Sequence, residues 1–278
     1  MACPLQGNHL EMIKNGTVSG RKKYADDHWI RSRNNEKALQ AYLEQQGKSY
    51  SRMKNAFIIE LLGKLHHKRF LDYGCGPGMF MGHAAKSRAS LVVGVDIEEA
   101  VLSTARYFAE KQGLADACLF LAADQFPTLS SGDCFDAILL KDVIEHVEDD
   151  QSLLNFAAKA VVPDGVIIVS TQNVLSLNFL IEGAYQRIIR GRKDWYGWDP
   201  THLRFYTPQS LKEKLDAAGL RCIAWRSVYL IPHKIPAAHS SGRRFYRIES
   251  LSRIDGMLGR FFPWNRIGWN IIVKAIKN

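Results

Sequence analysis

Residues 70–80 read FLDYGCGPGMF: an apolar strand that ends in an acid, Asp72, then glycines at every second position, Gly74, Gly76 and Gly78. Glycine lacks a Cβ, so a turn of this kind lets a ligand come close to backbone N–H groups at the start of the following helix. Tight strand-to-helix turns need glycine anyway, and the loop alone does not establish a ligand. Two details narrow the reading. A dinucleotide turn needs G-x-G-x-x-G, and counting from Gly74 the third glycine falls on Met79. An acid inside the turn also repels a pyrophosphate.

On both sides of this loop the pattern is strand, turn, helix, repeated. Strand-sized apolar runs occur at RFLDYG (69–74), LVVGVDI (91–97), CLFLAAD (118–124), FDAILLKD (135–142) and GVIIVST (165–171), with helical stretches at 79–86, 98–112 and 151–162 between them. Strands alternating with helices build a parallel sheet through right-handed crossovers, and ligands then bind at the carboxyl ends of the strands. A helix at 211–218, a strand near 223–231 and an apolar strand at 269–275 follow. The apolar spacing at 38–65 is three and four, which predicts helices that precede the sheet and cover it. Residues 1–25 read as an arm.

Three successive strands end in acids, and this is harder to explain by solubility than any one of them. Asp72 suits a ligand carrying a positive sulfonium and an α-amino group, Asp96 is placed to accept two ribose hydroxyls, and Asp124, with Gln125, is placed for an adenine amino group. The ligand so described is S-adenosylmethionine, with Cys75 and Ile97 beside the two loops. Lys141 and Asp142, ending the fourth strand, would border its methionine end.

With DYGCGPG, GVDI, AADQF and FDAILLKDVIEHV as its four motifs, the chain resembles the class I S-adenosylmethionine-dependent methyltransferases. The motifs run from about Lys68 onward and leave the first 65 residues uncovered. The resemblance implies an α/β, Rossmann-like seven-stranded sheet, mostly parallel, with helices on both faces, an antiparallel last strand and an N-terminal helical cover. Residues 1–66 would form the arm and cover, and 67–278 the cofactor-binding domain with basic helical insertions near 175–195 and 240–262. A narrower stretch, GRKDWYGWDPTHLRFYTPQSLKEKLDAAGL (191–220), is similar to one in quinone-biosynthesis O-methyltransferases and their bacterial relatives acting on sugars or lipids. KDVIEHV differs from the Pro-Pro-aromatic and Pro-Cys motifs of adenine, glutamine and cytosine methyltransferases.

Transfer of a methyl group from a sulfonium is an in-line displacement, so the enzyme mainly aligns donor and acceptor. An acceptor hydroxyl must also lose a proton, and the candidate bases are His146 and Glu145 in VIEHV and His202 in DPTHLRF. Each has a plainer reading: a helix-start residue against the cofactor for His146, a loop-pinning hydrogen bond for His202, an orienting carboxylate for Glu145. No metal is expected.

The net charge of +9 is unevenly spread: residues 1–69 carry 13 basic and 6 acidic groups, 70–170 carry 6 and 15, and 171–278 carry 18 and 7. An acidic middle argues against a uniform nucleic-acid-binding coat, although an RNA-modifying methyltransferase is the alternative reading of the basic flanks. In LSLNFLIEGAYQRIIRGRK (175–193), Leu177, Leu180, Ile181, Ala184 and Ile188 share a helical face next to Arg187, Arg190, Arg192 and Lys193. A second basic amphipathic helix is expected over RRFYRIESLSRIDGMLGRFFPW (243–264). Both read either as lids packed on the core or as contacts with an anionic membrane or a lipid-linked acceptor. The expected acceptor is therefore a small molecule, hydrophobic or linked to a lipid or sugar, and nucleic acid is the weaker candidate. With no apolar run of spanning length, no signal peptide and five cysteines without paired spacing, the expected setting is a reducing cytoplasm, with peripheral membrane contact at most.

Overall fold

The computed structural model describes residues 28–124, 134–195, 197, 199, 201–231, 234–236, 245–247 and 249–277. Its centre is a seven-stranded sheet in the order β3-β2-β1-β4-β5-β9-β6, with β1 Arg69–Tyr73, β2 Leu91–Asp96, β3 Leu119–Ala122, β4 Phe135–Lys141, β5 Val161–Gln172, β6 Leu220–Val228 and β9 Asn270–Lys277. The first five pair in parallel, and β9 lies antiparallel between β5 and β6. The chain order reverses between β1 and β4, which opens a crevice at their carboxyl ends.

The strands are apolar on both sides because both faces are covered. Leu71, Ile138, Leu140, Ile167 and Val169 point to the face carrying α5 (Asp150–Ala160) and α7 (Pro208–Ala217). Phe70, Ala137, Leu139 and Ile168 point to the other, which carries α2 (Ser49–Leu62) and α3 (Met79–Lys86). The side chains of Asn34, Asp149 and Thr207 cap α1 (Asn35–Gln46), α5 and α7, and Thr207 forms a reciprocal capping box with Ser210. The remaining helices are α4 (Glu99–Lys111), α6 (Leu177–Ala184) and α8 (Ser252–Leu258).

Helices α1 and α2 lie across the carboxyl rim. Asn35 bonds Ser103 and Thr104 near the start of α4, and Asn55 Nδ2 approaches Met79 Sδ at the start of α3. Farther along α2, Phe57, Ile58, Leu61 and Leu62 are buried in the same layer as α3, so one helix serves both core and rim. Among the described residues no helix is long and apolar enough to cross a membrane.

The amphipathic segments differ from expectation in two ways. Phe245–Arg247 is a strand, β8, paired antiparallel with β7 (Lys234–Pro236), and among the described residues of the segment only Ser252–Leu258 is α-helical. Adjacent aromatic residues in FYR favour extended backbone. In α6 the buried residues are Asn178, Phe179 and Gly183, whereas the apolar face of Leu177, Leu180 and Ile181 is exposed, as are Ile188 and Ile189 in the π-helical turn Tyr185–Ile189. Phe179 explains this: it stacks on Trp269 at 5.7 Å and meets Trp195 and Phe205, and that aromatic cluster turns the aliphatic side outward.

Candidate active site

The glycine loop joins β1 to α3 and lies on the crevice. Gly74, Gly76 and Gly78 all have positive φ, and a Cβ on Gly74 would run into the Val143 side chain. The N–H groups of Gly74 and Cys75 donate to the Val95 carbonyl at 2.7 and 2.9 Å, that of Gly76 to Asp96 Oδ2 at 3.0 Å and that of Gly78 to the Cys75 carbonyl at 3.0 Å. Three of these four N–H groups are thus taken up by β2 and the fourth by the loop itself, so none of the four is left free. What it leaves open is the bare flank of Gly76, where a Cβ would meet nothing within 4 Å.

Asp72 is 1% exposed, and its Oδ2 has no hydrogen-bond partner. Burial raises its carboxyl to about 7, with the Lys141 ammonium opposing the shift and the charge of Asp96 adding to it. Burial also raises Asp96, against the N–H groups of Glu98 and Gly76 that favour its anion. Ile97, next along, is an exposed aliphatic side chain beside the crevice. Asp124 is exposed in the turn after β3, which ends two residues sooner than expected, at Ala122. Gln125 lies outside the described residues.

At the end of β4, Asp142 sits at a φ of +54°, uncommon for a residue with a side chain. Its carboxylate accepts from Lys54 Nζ at 2.5 Å to each oxygen and from Ser170 Oγ at 3.2 Å, with Lys141 Nζ at 3.6 Å. Burial alone would raise Asp142, but these two ammonium groups hold it well below the usual carboxylate range.

Beyond Asp142 a short 3₁₀ turn, Ile144–His146, meets the loop at 199–206. Leu203 N donates to the Glu145 carbonyl at 2.9 Å, Tyr206 Oη to Asp150 at 2.6 Å, and Arg204 pairs with Asp150 at 2.7 Å. This stitching brings His146 and His202 edge to face, 4.7 Å between ring centroids, with Thr201 Oγ1 3.2 Å from His146 Nδ1 and Asp199 Oδ2 3.7 Å from His202 Nε2. Glu145 is fully buried, neither of its carboxylate oxygens has a hydrogen bond of normal geometry among the described residues, and His202 Nδ1 is likewise unpartnered. Burial, then the charge of Asp142, pushes the Glu145 carboxyl well above its usual range. Burial, then the charge of His146, lowers His202 to about 4. One donor atom from each of Glu145, His146 and His202 lies within 4.8 Å of the others, a spacing at which the three could hold a metal ion. Ligand spacing in the sequence did not signal that grouping.

Three residues of the cover reach this site without having been singled out in the sequence: Lys54, the buried Tyr42 and the partly buried Tyr50. Burial raises both phenols, with Asp72 adding to the shift of Tyr42 and Asp142 to that of Tyr50. The spacing of Tyr50 and Lys54, four apart on a helix, places them on one face.

Residues 39–224 match the model of a methyltransferase domain family. The chain belongs to that family. The match starts inside α1 and stops in β6, so it includes most of the cover, which the sequence motifs alone left out, and excludes the last strand. The methyltransferase is 33% identical over 186 residues to the ubiquinone biosynthesis O-methyltransferase of Idiomarina loihiensis, an alignment covering 64% of this chain and 72% of that protein. It is 32% identical over 169 residues to the protein of the same name from Dinoroseobacter shibae, covering 59% and 64%. The chain thus spans roughly two thirds of these relatives' length. Among solved structures, S-adenosylmethionine-dependent methyltransferases from Mesorhizobium loti (18% identity, TM-score 0.53, 84% of this chain and 99% of that one) and Archaeoglobus fulgidus (20%, 0.53, 85% and 99%) share the fold. The protein is an S-adenosylmethionine-dependent methyltransferase, and S-adenosylmethionine is its cofactor.

Proposed function

We propose that the protein methylates a ring hydroxyl of a small hydrophobic acceptor, with S-adenosylhomocysteine as the second product. The observation that carries this reading is the meeting of two sets of groups at one rim: Asp72 and Asp96 flanking the glycine loop, and Glu145, His146 and His202 beyond Asp142 at the end of β4. The first set suits the cofactor. Gly74, Cys75, Gly76 and Gly78 shape its cradle, Asp96 takes the ribose hydroxyls, Ile97 lies against the adenine with Asp124 at its edge, and Asp72, Lys141 and Asp142 border the methionine end. The second set supplies a place for the acceptor proton. The names of the relatives favour oxygen as the methylated atom and an apolar, quinone-like acceptor.

The exposed aliphatic face of α6 and the π-helical turn, next to Arg190, Arg192 and Lys193, supports a further element of the proposal: this edge rests on an anionic membrane surface from which a hydrophobic or lipid-linked acceptor is drawn.

Calorimetric titration with S-adenosylhomocysteine followed by labelled methyl transfer to phenols and catechols with alkyl tails tests the reading. Micromolar binding that Asp96→Ala abolishes, together with labelled ether product, is expected. Binding without product on any such acceptor would remove the O-methylation reading while leaving the cofactor assignment in place.

A further inference from the structure

Three donor groups converge beyond Asp142 without satisfying one another. Glu145 is fully buried, and neither of its carboxylate oxygens has a hydrogen bond of normal geometry among the described residues. The His202 side chain is 2% exposed, and its Nδ1 is in the same condition. A buried carboxylate that bonds nothing is costly, and native interiors leave few such groups without a partner of some kind. The nearby cations do not answer for Glu145: the Lys54 ammonium reaches both oxygens of Asp142, and Lys141 lies on the same carboxylate.

The two imidazoles are set as ligands by what holds their outer edges. Thr201 Oγ1 donates to Asp199 Oδ1 at 2.6 Å, and a hydroxyl has one proton, so toward His146 Nδ1, 3.2 Å away, it can only accept. His146 therefore carries its proton on Nδ1 and its lone pair on Nε2. Asp199 Oδ2 faces His202 Nε2 at 3.7 Å, which favours the proton there and puts the lone pair on the unpartnered Nδ1. The Gln172 amide supports the same tautomer. Its nitrogen stands 3.4 Å from His202 Nε2 while its buried oxygen bonds nothing, and turning the amide over gives that oxygen the Nε2 proton. A single carboxylate, Asp199, thus orients both rings from behind, as outer carboxylates do for metal-ligating histidines. One donor atom from each of the three residues lies within 4.8 Å of the others. Bonds of about 2.1 Å in a tetrahedral site put ligands about 3.4 Å apart, so small side-chain rotations bring the three onto one ion.

We infer that Glu145, His146 and His202 bind a divalent transition ion of the zinc type, whose open position takes the acceptor oxygen. Two imidazoles among three ligands favour such an ion over magnesium or calcium, which prefer oxygen throughout. Three protein ligands are also the pattern of catalytic sites, where a fourth position is kept for water or substrate. Occupancy by the ion does not depend on which atom is methylated, whereas its role rests on the O-methylation reading above. It alters that reading at one point: the ion favours the oxyanion over the hydroxyl, so the acceptor proton leaves to water instead of resting on the cluster. The oxygen then forms its bond to the methyl carbon, and the S–CH₃ bond breaks with its electron pair staying on sulfur.

The test strips the full chain with a chelator and titrates it with Zn²⁺, with Mg²⁺ and, as a visible probe, with Co²⁺. Wild type is expected to take one Zn²⁺ or Co²⁺ per chain with micromolar or tighter affinity, to bind Mg²⁺ far more weakly, and to show the visible absorption of Co²⁺ held by nitrogen and oxygen. Thr201→Val keeps all three ligands but frees the His146 ring, and it should weaken Co²⁺ binding roughly 10- to 100-fold. Glu145→Gln and His202→Ala should each lose more than that, together with the absorption bands. Labelled methyl transfer to phenols should fall in the stripped enzyme and return with Zn²⁺. Wild type that takes up neither Zn²⁺ nor Co²⁺ in stoichiometric amount, Co²⁺ bands unchanged in Glu145→Gln and His202→Ala, or stripped enzyme that turns over at the loaded rate overturns the inference. Should Glu145→Gln or His202→Ala not fold, Thr201→Val must still weaken Co²⁺ binding or the inference falls. Stoichiometric ion binding by an enzyme that methylates no phenol keeps the site and removes the O-methylation reading instead.

Discussion

Asp72 carries the clearest pH signature of any single residue. Its folded carboxyl titrates at about 7, against about 4 in an unfolded chain. Because the folded state keeps a proton that the unfolded state has lost, stability from this group is full below about pH 4, falls as pH rises toward 7 and is level above it. The α-ammonium and sulfonium of the cofactor favour the anion, so S-adenosylmethionine should bind more tightly as pH rises from about 5.5 to 7, approaching tenfold per pH unit, and then level off. Calorimetry in buffers of different ionisation enthalpy at pH 6 should show about one proton released, and Asp72→Asn should bind weakly with a flat profile. A wild-type affinity independent of pH would place Asp72 away from the cofactor's charges. Residues of this kind could be read from the sequence because each lies at a strand end, where chain order alone dictates the rim. Lys54 and Tyr42 could not: three-and-four spacing says that α1 and α2 are helices with a buried side, but which end of the sheet they reach depends on contacts 88 residues apart, such as Lys54 with Asp142.

For the elements, the β-α alternation predicted the five parallel strands closely because their runs are apolar on both sides and bounded by glycine or acids. Amphipathic segments were harder. A helical aliphatic face reads as core-facing by default, yet α6 turns its aromatic residue inward and leaves Ile188 and Ile189 77% and 71% exposed. Periodicity reports that a face exists and not what covers it. If that face rests on lipid, the protein should sediment with phosphatidylglycerol vesicles and much less with phosphatidylcholine vesicles. The double change Ile188→Asp with Ile189→Asp should cut the bound fraction at least several-fold without altering turnover of a water-soluble phenol. Equal binding of variant and wild type would show that this edge does not touch the bilayer.

Over the whole molecule, the cover is held at four separated places: Asn35 to Ser103 and Thr104, Asn55 to Met79, Lys54 to Asp142, and Glu60 to both Arg226 and Arg260. The first three lie on the rim and the last along the sheet face, so the rim end can loosen while the far end stays anchored in the core. A ligand filling the crevice should therefore slow amide exchange in 35–55 while leaving 57–62 little changed, measured by mass spectrometry with and without S-adenosylhomocysteine. Uniform slowing across α2, or none, would mean that the cover does not respond to the cofactor.

The place of β9 in the sheet has a consequence for how the chain is made. It is the wedge between β5 and β6, yet it is synthesised nearly a hundred residues after β5 ends and about forty after β6. At the usual pace of a ribosome, β5 waits several seconds or more with one edge unpaired. An open edge can recruit any extended segment of like pattern, and β6, which pairs only with β9 in this sheet, has nowhere to dock until then. The cofactor half of the molecule, β1 to β4 with its glycine loop, can be finished long before. The nascent protein thus passes through a stage in which its binding rim is assembled while its other half is still looking for a partner strand, and that is the interval in which a chaperone would matter most.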